Sequence, residues 1–412
     1  MLRSIPIPDQ RRLEDFRESA GEEAVERLRE AAAPLKGSRL VQISSTSFGG
    51  GVSELLYSHV ALLQDLGIDA DWQLLEGSDE FFTVTKLVHN ALQGMPVPWT
   101  DAFENTYLER VRSNAERFEP DADFVFVHDP QPVALLTFLE EMGRRRGRWV
   151  WRCHIDLSQP MEQVWSFYAV HVARYDAAVF TLEDFAKPGV APRVSIIPPS
   201  IDPLSPKNTH LDPEAVREIL AAYNIDPERP LVTQVSRFDP WKDPVGVIDA
   251  FRQAEEEVPE AQLILVGSMA EDDPEAWHFL ELAQEHRGDD PDVHILTNFQ
   301  DVGPFVVNAF QRASDVVVQK SIREGFGLTV AEGMWKERPV IGGNVGGIRL
   351  QIEDGVSGYL VDSPEECASR LVELLHDPKR REEMGRAGRA RVRDRFLTLR
   401  ELTDYLTLLA SL

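Results

Sequence analysis

The sequence predicts an α/β protein with two doubly wound, Rossmann-like domains that face each other across a deep cleft. Short apolar runs alternate with helical patterns over almost all of the 412 residues, and this alternation occurs in two series. The stretch PPSIDPLSPKN, residues 198–208, separates the series, and its four prolines suit a stiff hinge. We therefore expect a first domain over 1–200 and a second over 201–394. Ligands of such sheets bind beyond the carboxyl ends of the strands.

The strands are predicted where apolar runs end in turn residues or polar clusters. In the first series they are RLVQIS (39–44), DADWQLLE (69–76), DFVFVHD (123–129), RWVWRCH (148–154), DAAVFT (176–181) and RVSIIPP (193–199). In the second series they are PLVTQVS (230–236), AQLILVGS (261–268), DVHILTN (292–298), DVVVQKS (315–321) and RPVIGG (338–343). Helices are predicted between them, for example over VSELLYSHVALLQDLG, which has apolar residues at helical spacing.

The composition excludes several classes of function. Sixty-nine acidic against 43 basic residues give a net charge of −26, which argues against a nucleic-acid-binding or anionic-membrane surface. Two cysteines are too few for a disulfide framework or a zinc site. The N-terminal stretch is charged and helical in pattern, and no run of 18 apolar residues occurs. These features predict a soluble, cytoplasmic protein.

The stretch SIREGFGLTVAEGMW, residues 321–335, places Glu324 and Glu332 on either side of a glycine-rich turn. A glycosidase pair would need carboxylates about 5–9.5 Å apart, whereas eight residues of continuous helix span about 12 Å. We expect instead a turn at Gly325 and Gly327, then a helix that starts near Thr329 and has Glu332 in its first turn. Such a loop favours a phosphorylated ligand, whose hydroxyls the two carboxylates would bind.

Two further stretches point to an anionic ligand. STSFGGGV, residues 45–52, joins the first strand to its helix through Gly49, Gly50 and Gly51, either as a ligand-approach loop or as a tight turn alone. VSRFDPWKD, residues 235–243, supplies Arg237 and Lys242, which suit a diphosphate; two solvated surface charges are the alternative.

Polar clusters follow two strands of the first series. WRCHIDLS, residues 151–158, contains Arg152 and His154. The histidine is either a catalytic residue or a structural residue whose hydrogen bonds are made within the protein. HDPQP, residues 128–132, holds Asp129, which suits sugar hydroxyls or a helix cap equally well. Residues 76–94 are elaborate for a connection, and the sequence leaves open whether they determine specificity or only pack.

Taken together, the runs S-x-R-E-G-F-G-L-T-x-x-E, V-S-R-x-x-P-W-K and the early G-G-G loop resemble glycosyltransferase family 4, retaining enzymes of the GT-B architecture. The runs EGSDEFF, HDPQP, WRCHIDLS and PPSIDPLS are similar to the trehalose-forming members of that family. The resemblance implies transfer of glucose from ADP-, UDP- or GDP-glucose to free glucose, giving α,α-trehalose. It also implies that residues 395–412 return to the first, acceptor-side domain, and that the second domain binds the donor.

The resemblance further implies roles for individual residues. Arg237 and Lys242 would hold the diphosphate, Glu332 the ribose hydroxyls and Glu324 a hydroxyl of the donor glucose. His154 would lie beside the reacting sugar, with Arg237, Lys242 and Glu324 as the other catalytic groups. The remaining donor-side positions are Gly49, Gly50, Gly51, Gly325, Phe326, Gly327, Leu328 and Thr329. The acceptor-side positions are Asp129, Gln131, Arg152 and Asp156.

The implied mechanism is front-face transfer with retention, in a direction set by concentrations. No D-x-D pair follows a strand where a metal-dependent transferase would use one, so no obligatory cofactor or metal is implied, and Mg²⁺ accompanying the nucleotide stays open. Sugars are the expected partners, without nucleic acid or membrane, and a homodimer is expected. Three alternatives remain: a family 4 transferase with another acceptor, a nucleotide-sugar-binding protein without catalysis and, more remotely, a GT-B epimerase that would act on the donor without any acceptor.

Overall fold

The structure, a computed structural model, describes residues 2–7, 11–48, 50–187, 189–269 and 274–412. The chain divides into two compact units. The first unit comprises Met1–Pro199 with Thr398–Leu412, and the second comprises Ser200–Leu397. Each unit has its own parallel sheet, so the predicted α/β class with two doubly wound units is confirmed.

The sheet of the first unit has seven strands within the described residues, in the order β1-β3-β2-β4-β5-β6-β7. All neighbours pair in parallel except β1, which is antiparallel to β3. The pairing aligns Ile43 with Val127 and His128 with Arg152, so the carboxyl ends of β2, β4 and β5 lie side by side. The strands are β1 Arg3–Ser4, β2 Arg39–Ser44, β3 Asp69–Leu74, β4 Phe124–His128, β5 Arg148–Arg152, β6 Ala177–Phe180 and β7 Val194–Ile196.

The helices of the first unit pack their apolar faces on this sheet. In α4, which Ser78 caps by accepting from the N–H of Phe81, the buried face includes Phe81, Val84 and Val88. The stretch 76–94 is therefore largely a packed helix. The helices are α1 Arg17–Ala20, α2 Glu22–Ala32, α3 Gly51–Asp65, α4 Asp79–Leu92, α5 Asp101–Arg117, α6 Leu135–Glu141, α7 Glu162–Val172 and, from the end of the sequence, Thr398–Ala410, labelled α16. Three 3-10 turns cover Leu13–Phe16, Ala33–Leu35 and Glu183–Phe185.

The sheet of the second unit has six strands, all parallel, in the order β10-β9-β8-β11-β12-β13 over the described residues. Its interior strands are largely apolar and are buried along almost their whole length, as expected when helices cover both faces. The strands are β8 Leu231–Val235, β9 Gln262–Gly267, β10 Val293–Thr297, β11 Val316–Gln319, β12 Val340–Gly343 and β13 Tyr359–Val361.

Several helices of the second unit start with proline after an acidic or hydroxyl cap. Asp212, Asp243, Ser363 and Asp377 each accept a backbone N–H of the first turn, and the following proline has no N–H to satisfy. The helices are α8 Pro213–Ala222, α9 Pro244–Glu255, α10 Pro274–Arg287, α11 Pro304–Ala313, α12 Leu328–Trp335, α13 Gly346–Gln351, α14 Pro364–His376 and α15 Pro378–Arg395. Two 3-10 turns cover Pro240–Lys242 and Asn298–Gln300.

The eleven apolar runs chosen from the sequence all contain strands, whereas β1 and β13 were not predicted. The expected helix after the glycine-rich turn exists, but it begins at Leu328. Glu332 is consequently its fifth residue and lies in the second turn, so its predicted place in the first turn is wrong. No helix in the described part of the chain is long and apolar enough to cross a membrane.

Candidate active site

The loop between β11 and α12 brings Glu324 to a cation. Lys242 Nζ donates to Glu324 Oε2 at 2.5 Å, and the hydroxyl of Ser321 donates to the same oxygen at 3.2 Å. Glu324 is nearly buried and the Lys242 side chain is 16% exposed. At this burial the pair is screened less than a surface ion pair, so removal of one partner leaves a costly charge. The loop thus holds a preformed cation and carboxylate close together.

Gly327 shapes the same loop. It has φ 83°, in the left-handed region, and it caps the start of α12. A Cβ on Gly327 would lie 3.2 Å from the side chain of Glu324. The amide of Gln351 supports the turn by donating to the carbonyl oxygens of Phe326 (2.6 Å) and Gly327 (3.1 Å). The hydroxyl of Thr329 donates to the carbonyl of Val235 at 2.9 Å. The first-turn N–H groups of α12 start at this loop, as anion binding requires.

Asp239 organises the two basic residues that follow β8. Its Oδ1 accepts the backbone N–H groups of Trp241 (3.0 Å) and Lys242 (3.1 Å), which fixes the 3-10 turn that carries Lys242. Its Oδ2 lies 3.1 Å from Nη2 of Arg237, whose side chain is 41% exposed. Asp239 was not predicted as a site residue, although an aspartate before proline is a recognised capping signal.

Glu332 lies on the buried face of α12, inside the second unit. Its Oε2 accepts from the amide of Gln311 at 3.2 Å, and Lys207 Nζ lies 3.6 Å from Oε1. Burial alone would raise the pKa of Glu332, but Lys207 and then Lys336 act against it, and the net pKa is lowered. Glu332 is therefore ionised. Burial lowers the pKa of Lys336 to about 7, and its Nζ donates to Asn208 and to the Glu332 carbonyl.

In the first unit, His154 lies just after β5 and joins a chain of neutral hydrogen bonds. Its Nε2 is 2.9 Å from Nδ1 of His128, and Nε2 of His128 is 2.8 Å from the amide oxygen of Gln42. The two rings stack at 5.2 Å between centroids. Burial, followed by the positive charge of Arg152, lowers the pKa of His128 to about 3 and that of His154 well below its ordinary value. Both rings are neutral near pH 7.

Asp129 supports the backbone beside these histidines. It adopts φ 64°, a left-handed conformation that aspartate tolerates better than most residues, and its Oδ1 accepts the backbone N–H of His154 at 2.9 Å. Burial raises the pKa of Asp129 to about 6, against the opposing effects of that hydrogen bond and of Arg152. The structure therefore brings Asp129 and His154 together.

The other acceptor-side candidates lie deeper. Arg152 is fully buried and donates to the carbonyl of Cys153 at 3.1 Å, so in this conformation it is not open to a direct sugar contact. Asp156 is buried and accepts the N–H of Ser158 at 2.8 Å. Gln131 is half-buried, and no partner bonds its buried Oε1 within the described chain.

A carboxylate of α16 contacts a histidine of α3 inside the first unit. Glu401 Oε2 is 3.4 Å from Nε2 of His59 on α3, and the hydroxyl of Tyr405 donates to Glu401 Oε1 at 3.0 Å. All three side chains are buried. Burial would raise the pKa of Glu401, but His59 above all lowers it, to about 2. Helix α16 thus adds a buried negative charge to the first unit.

The glycine loop after β2 is only partly described, because Gly49 lies outside the described residues. Gly50 caps α3 in an extended conformation with φ −154°, and Gly51 is the first residue of that helix. A Cβ on Gly50 would meet nothing within 4 Å. Neither backbone strain nor crowding explains a glycine at position 50, which favours the ligand interpretation over the tight-turn one.

Three carboxylates, Glu255, Asp290 and Asp292, have oxygens within 4.8 Å of one another. They lie at the amino end of β10, away from the carboxyl ends where the candidate residues cluster. Arg229 pairs with Asp292 at 2.6 Å and Arg252 lies 3.6 Å from Asp290, so arginines already pair with two of the three carboxylates.

Comparisons with known proteins agree with this fold. Residues 216–391 match the family described as "Glycosyl transferases group 1", and residues 42–187 match "Trehalose synthase, N-terminal domain". The solved structure of a trehalose-6-phosphate synthase superposes with a TM-score of 0.75 at 14% identity, covering 91% of this chain and 99% of that one. Sheet architecture and family matches together define the chain as a glycosyltransferase of the GT-B fold.

Two full-length relatives define it more narrowly. The trehalose synthase of Thermococcus litoralis is 47% identical over 404 residues, which cover 97% of both chains. That of Rubrobacter xylanophilus is also 47% identical, over 409 residues and 98% of both chains. The chain belongs to the trehalose synthase family.

Proposed function

We propose that this enzyme transfers glucose from a nucleoside diphosphate glucose to free glucose, forming α,α-trehalose and releasing the nucleoside diphosphate. The observation that carries the proposal is the Lys242–Glu324 pair, on a loop that leads into a helix N-terminus, in a member of the trehalose synthase family. A cation for phosphate and a carboxylate for sugar hydroxyls, held 2.5 Å apart, match a ligand in which phosphate and sugar are directly bonded.

On the donor side, Arg237 and Lys242 bind the diphosphate, and Glu324 accepts a hydroxyl of the glucosyl group. The exposed guanidinium of Arg237 can turn from Asp239 to phosphate oxygens, which it binds in a bidentate manner. Glu332, ionised and buried, accepts the ribose hydroxyls when its carboxylate exchanges Gln311 or Lys207 for the ligand. The backbone from Gly325 to Thr329 supplies N–H groups to phosphate oxygens. The second unit is thus the donor domain.

On the acceptor side, the first unit supplies Asp129 and His154, which are already joined by a hydrogen bond. Asp156 and Gln131 lie on the loops that follow β5 and β4 respectively, within the same strand-end region. Arg152 acts from the interior through its charge. The family resemblance assigns the glycine loop after β2 to the diphosphate, and the lack of any backbone strain or crowding at Gly50 supports this role.

The chemistry proceeds with retention at the anomeric carbon. The bond from that carbon to the diphosphate oxygen breaks, the acceptor hydroxyl oxygen attacks from the same face, and its proton passes to the departing phosphate oxygen. Arg237 and Lys242 stabilise the negative charge that develops on the diphosphate. Preorganised groups of this kind are worth about 3–4 kcal/mol each, by analogy with an oxyanion-hole donor. The reaction is reversible, and its direction follows the concentrations.

No step of this mechanism needs a metal ion, and stimulation by Mg²⁺ bound to the nucleotide is compatible with it. A homodimer and a cytoplasmic location remain predictions. Light scattering and cell fractionation respectively would check them.

The test is product analysis by NMR after incubation with ADP-glucose or UDP-glucose and free glucose. α,α-Trehalose with stoichiometric release of the nucleoside diphosphate is the expected result. Donor consumption only with a different acceptor would overturn the acceptor assignment. Saturable nucleotide binding without turnover of any donor and acceptor pair would overturn the enzymatic proposal, in favour of a binding protein.

A further inference from the structure

We propose that Gln42 is a positioning residue that fixes the protons of two histidines, so that His154 presents a bare Nδ1 as hydrogen-bond acceptor to a substrate sugar hydroxyl. The identity of the ligand rests on the proposed function. Everything else rests on the hydrogen bonds of the first unit, in which Gln42, His128 and His154 form one chain with links of 2.8 and 2.9 Å. Gln42 and His128 are both buried.

The proton positions follow from counting donors along this chain. The amide oxygen of Gln42 can only accept, so Nε2 of His128 must carry the hydrogen of the 2.8 Å bond. A neutral imidazole has one N–H, which leaves Nδ1 of His128 bare. That bare nitrogen is the acceptor of the 2.9 Å bond, so Nε2 of His154 is the donor. His154 is then protonated at Nε2 and bare at Nδ1.

The counting holds only if both rings are neutral, and their surroundings keep them so. His128 is 3% exposed, and the fully buried Arg152 lies nearby on β5. Burial and then Arg152 lower the pKa of both histidines, with His59 on α3 adding a smaller effect in the same direction. Glu401 on α16 is the opposing charge at His128, and its effect is the smallest of the four.

The bare nitrogen is also the one available to a ligand. His154 is half-buried, and its backbone N–H is held by Asp129 at 2.9 Å. Within the ranges that the structure describes, no group bonds to Nδ1 of His154. A sugar hydroxyl can donate to this nitrogen. Because His154 resists protonation, it orients this hydroxyl without removing its proton. The hydroxyl held by Nδ1 is therefore one that does not react, and the reacting hydroxyl keeps its own proton for the departing phosphate oxygen.

The direct test is the tautomeric state of the histidines in the substrate-free enzyme. Long-range ¹H–¹⁵N correlation spectra of protein labelled at histidine distinguish Nδ1–H from Nε2–H, and His→Gln variants assign the signals. Nε2–H on both His128 and His154 is the expected result. Nδ1–H on His154, or a charged ring at pH 7, would overturn the proposal. The measurement needs no substrate, so it can fail or succeed independently of the proposed trehalose synthesis.

The variant Gln42→Met removes the acceptor with little change of shape. We expect mixed tautomers at His154 and a fall of about tenfold in kcat/KM, the size expected for one oriented hydrogen bond. Gln73→Met is the matched control, since Gln73 is a buried glutamine on β3 of the same sheet whose amide bonds Asp71. Wild-type tautomers and activity in Gln42→Met would overturn the inference.

The variant Gln42→Glu separates proton direction from packing. A carboxylate is also an acceptor, so at pH 8 we expect wild-type tautomers and activity within a few fold. The new charge raises the pKa of His128, and a nearby carboxylate shifts such a group by about 1–3 units. Once protonated, His128 donates from Nδ1 and reverses the proton on His154, so activity should fall on the acid side well before it does in wild type. Superimposable pH profiles would contradict the proposal.

Discussion

The two units hold their candidate residues in opposite electrostatic states. The second unit presents paired charges, Lys242 with Glu324 and Arg237 with Asp239, on partly exposed loops. The first unit presents a neutral chain, from Gln42 through His128 to His154, whose rings are kept uncharged by burial and by a neighbouring guanidinium.

The difference matches the two kinds of substrate. Charges that are already paired can exchange partners when a diphosphate arrives, at little cost in desolvation. An uncharged sugar offers no such exchange, and it is oriented best by hydrogen-bond groups whose donor and acceptor directions are set beforehand. A comparison of four variants, each placed in one unit, can break or sharpen this division.

The largest expected effect is that of Lys242→Ala in the second unit. Turnover should fall at least a hundredfold, because a preorganised charge on the leaving diphosphate is lost, at a cost of about 3–4 kcal/mol. Steady-state release of the nucleoside diphosphate measures this effect. Lys379→Ala is the control, since this lysine is 84% exposed and, among the residues that the structure describes, makes only a long surface pair with Glu383. Near-normal turnover with only weaker donor binding would refute the role of Lys242.

Glu324→Gln keeps the shape of the side chain and removes its charge. We expect turnover to fall roughly tenfold to a hundredfold, because hydrogen bonds to a carboxylate are about twice as strong as those to an amide. The melting temperature should fall modestly, because the amide oxygen can still accept from Lys242 and Ser321 but the charge of the partly buried Lys242 loses its counter-ion. Kinetics and thermal unfolding are measured on the same samples. A glucosyl-enzyme trapped in wild type would instead show that a carboxylate acts as nucleophile.

The neutral histidines of the first unit predict an acid-dependent loss of stability. The folded pKa of His128 is about 3 against an ordinary value of 6.5. Between these values the unfolded chain binds a proton that the folded state does not. This contribution is therefore complete above pH 6.5 and is lost as the pH falls towards 3, by ~1.4 kcal/mol per pH unit. The free energy of unfolding, measured with urea at pH 7, 6 and 5, should fall less steeply with decreasing pH in His128→Gln than in wild type. Equal slopes would mean that His128 is not buried neutral.

The smallest effect is expected for Gly50→Ala, which tests whether the first unit also touches the anionic part of the donor. Position 50 has an extended backbone and free space, so the melting temperature should stay the same. The added methyl group would meet only a ligand, and we expect KM for the donor to rise about tenfold, or ~1.4 kcal/mol. An unchanged KM would place the glycine loop outside the donor site. The anionic part of the donor would then be bound by the second unit alone.

The fold was predictable because parallel strands buried on both faces are nearly continuous apolar runs, as in QLILVG of β9. The two strands that escaped prediction are short. Arg3–Ser4 has two residues and no apolar one, and Tyr359–Val361 has only three. Edge strands of this length are defined by the neighbour they pair with, which a local pattern cannot show.

Site residues were predictable only where they lie within a recognised sequence motif. Gln42 is 86 positions from His128, and its one local signal is a polar side chain inside the buried strand RLVQIS. Lys207 and Gln311 likewise reach Glu332 from distant segments. Glu332 was predicted in the first helical turn because the helix start was set at Thr329, one residue after the observed start at Leu328. Helix boundaries next to a glycine turn are defined by sequence only to within a residue or two.

The contact between Glu401 and His59 also bears on the order in which the chain folds. Helix α16 belongs to the first unit, although it is synthesised only after the whole second unit, Ser200–Leu397. A ribosome-bound chain that lacks these residues has His59 and Phe126 without the Glu401 and Tyr405 that contact them. The second unit can therefore be complete during translation while the first still waits for its last helix. The first unit is synthesised first but completed last. A stalled or truncated product would expose the polar interior of that unit around its buried histidines.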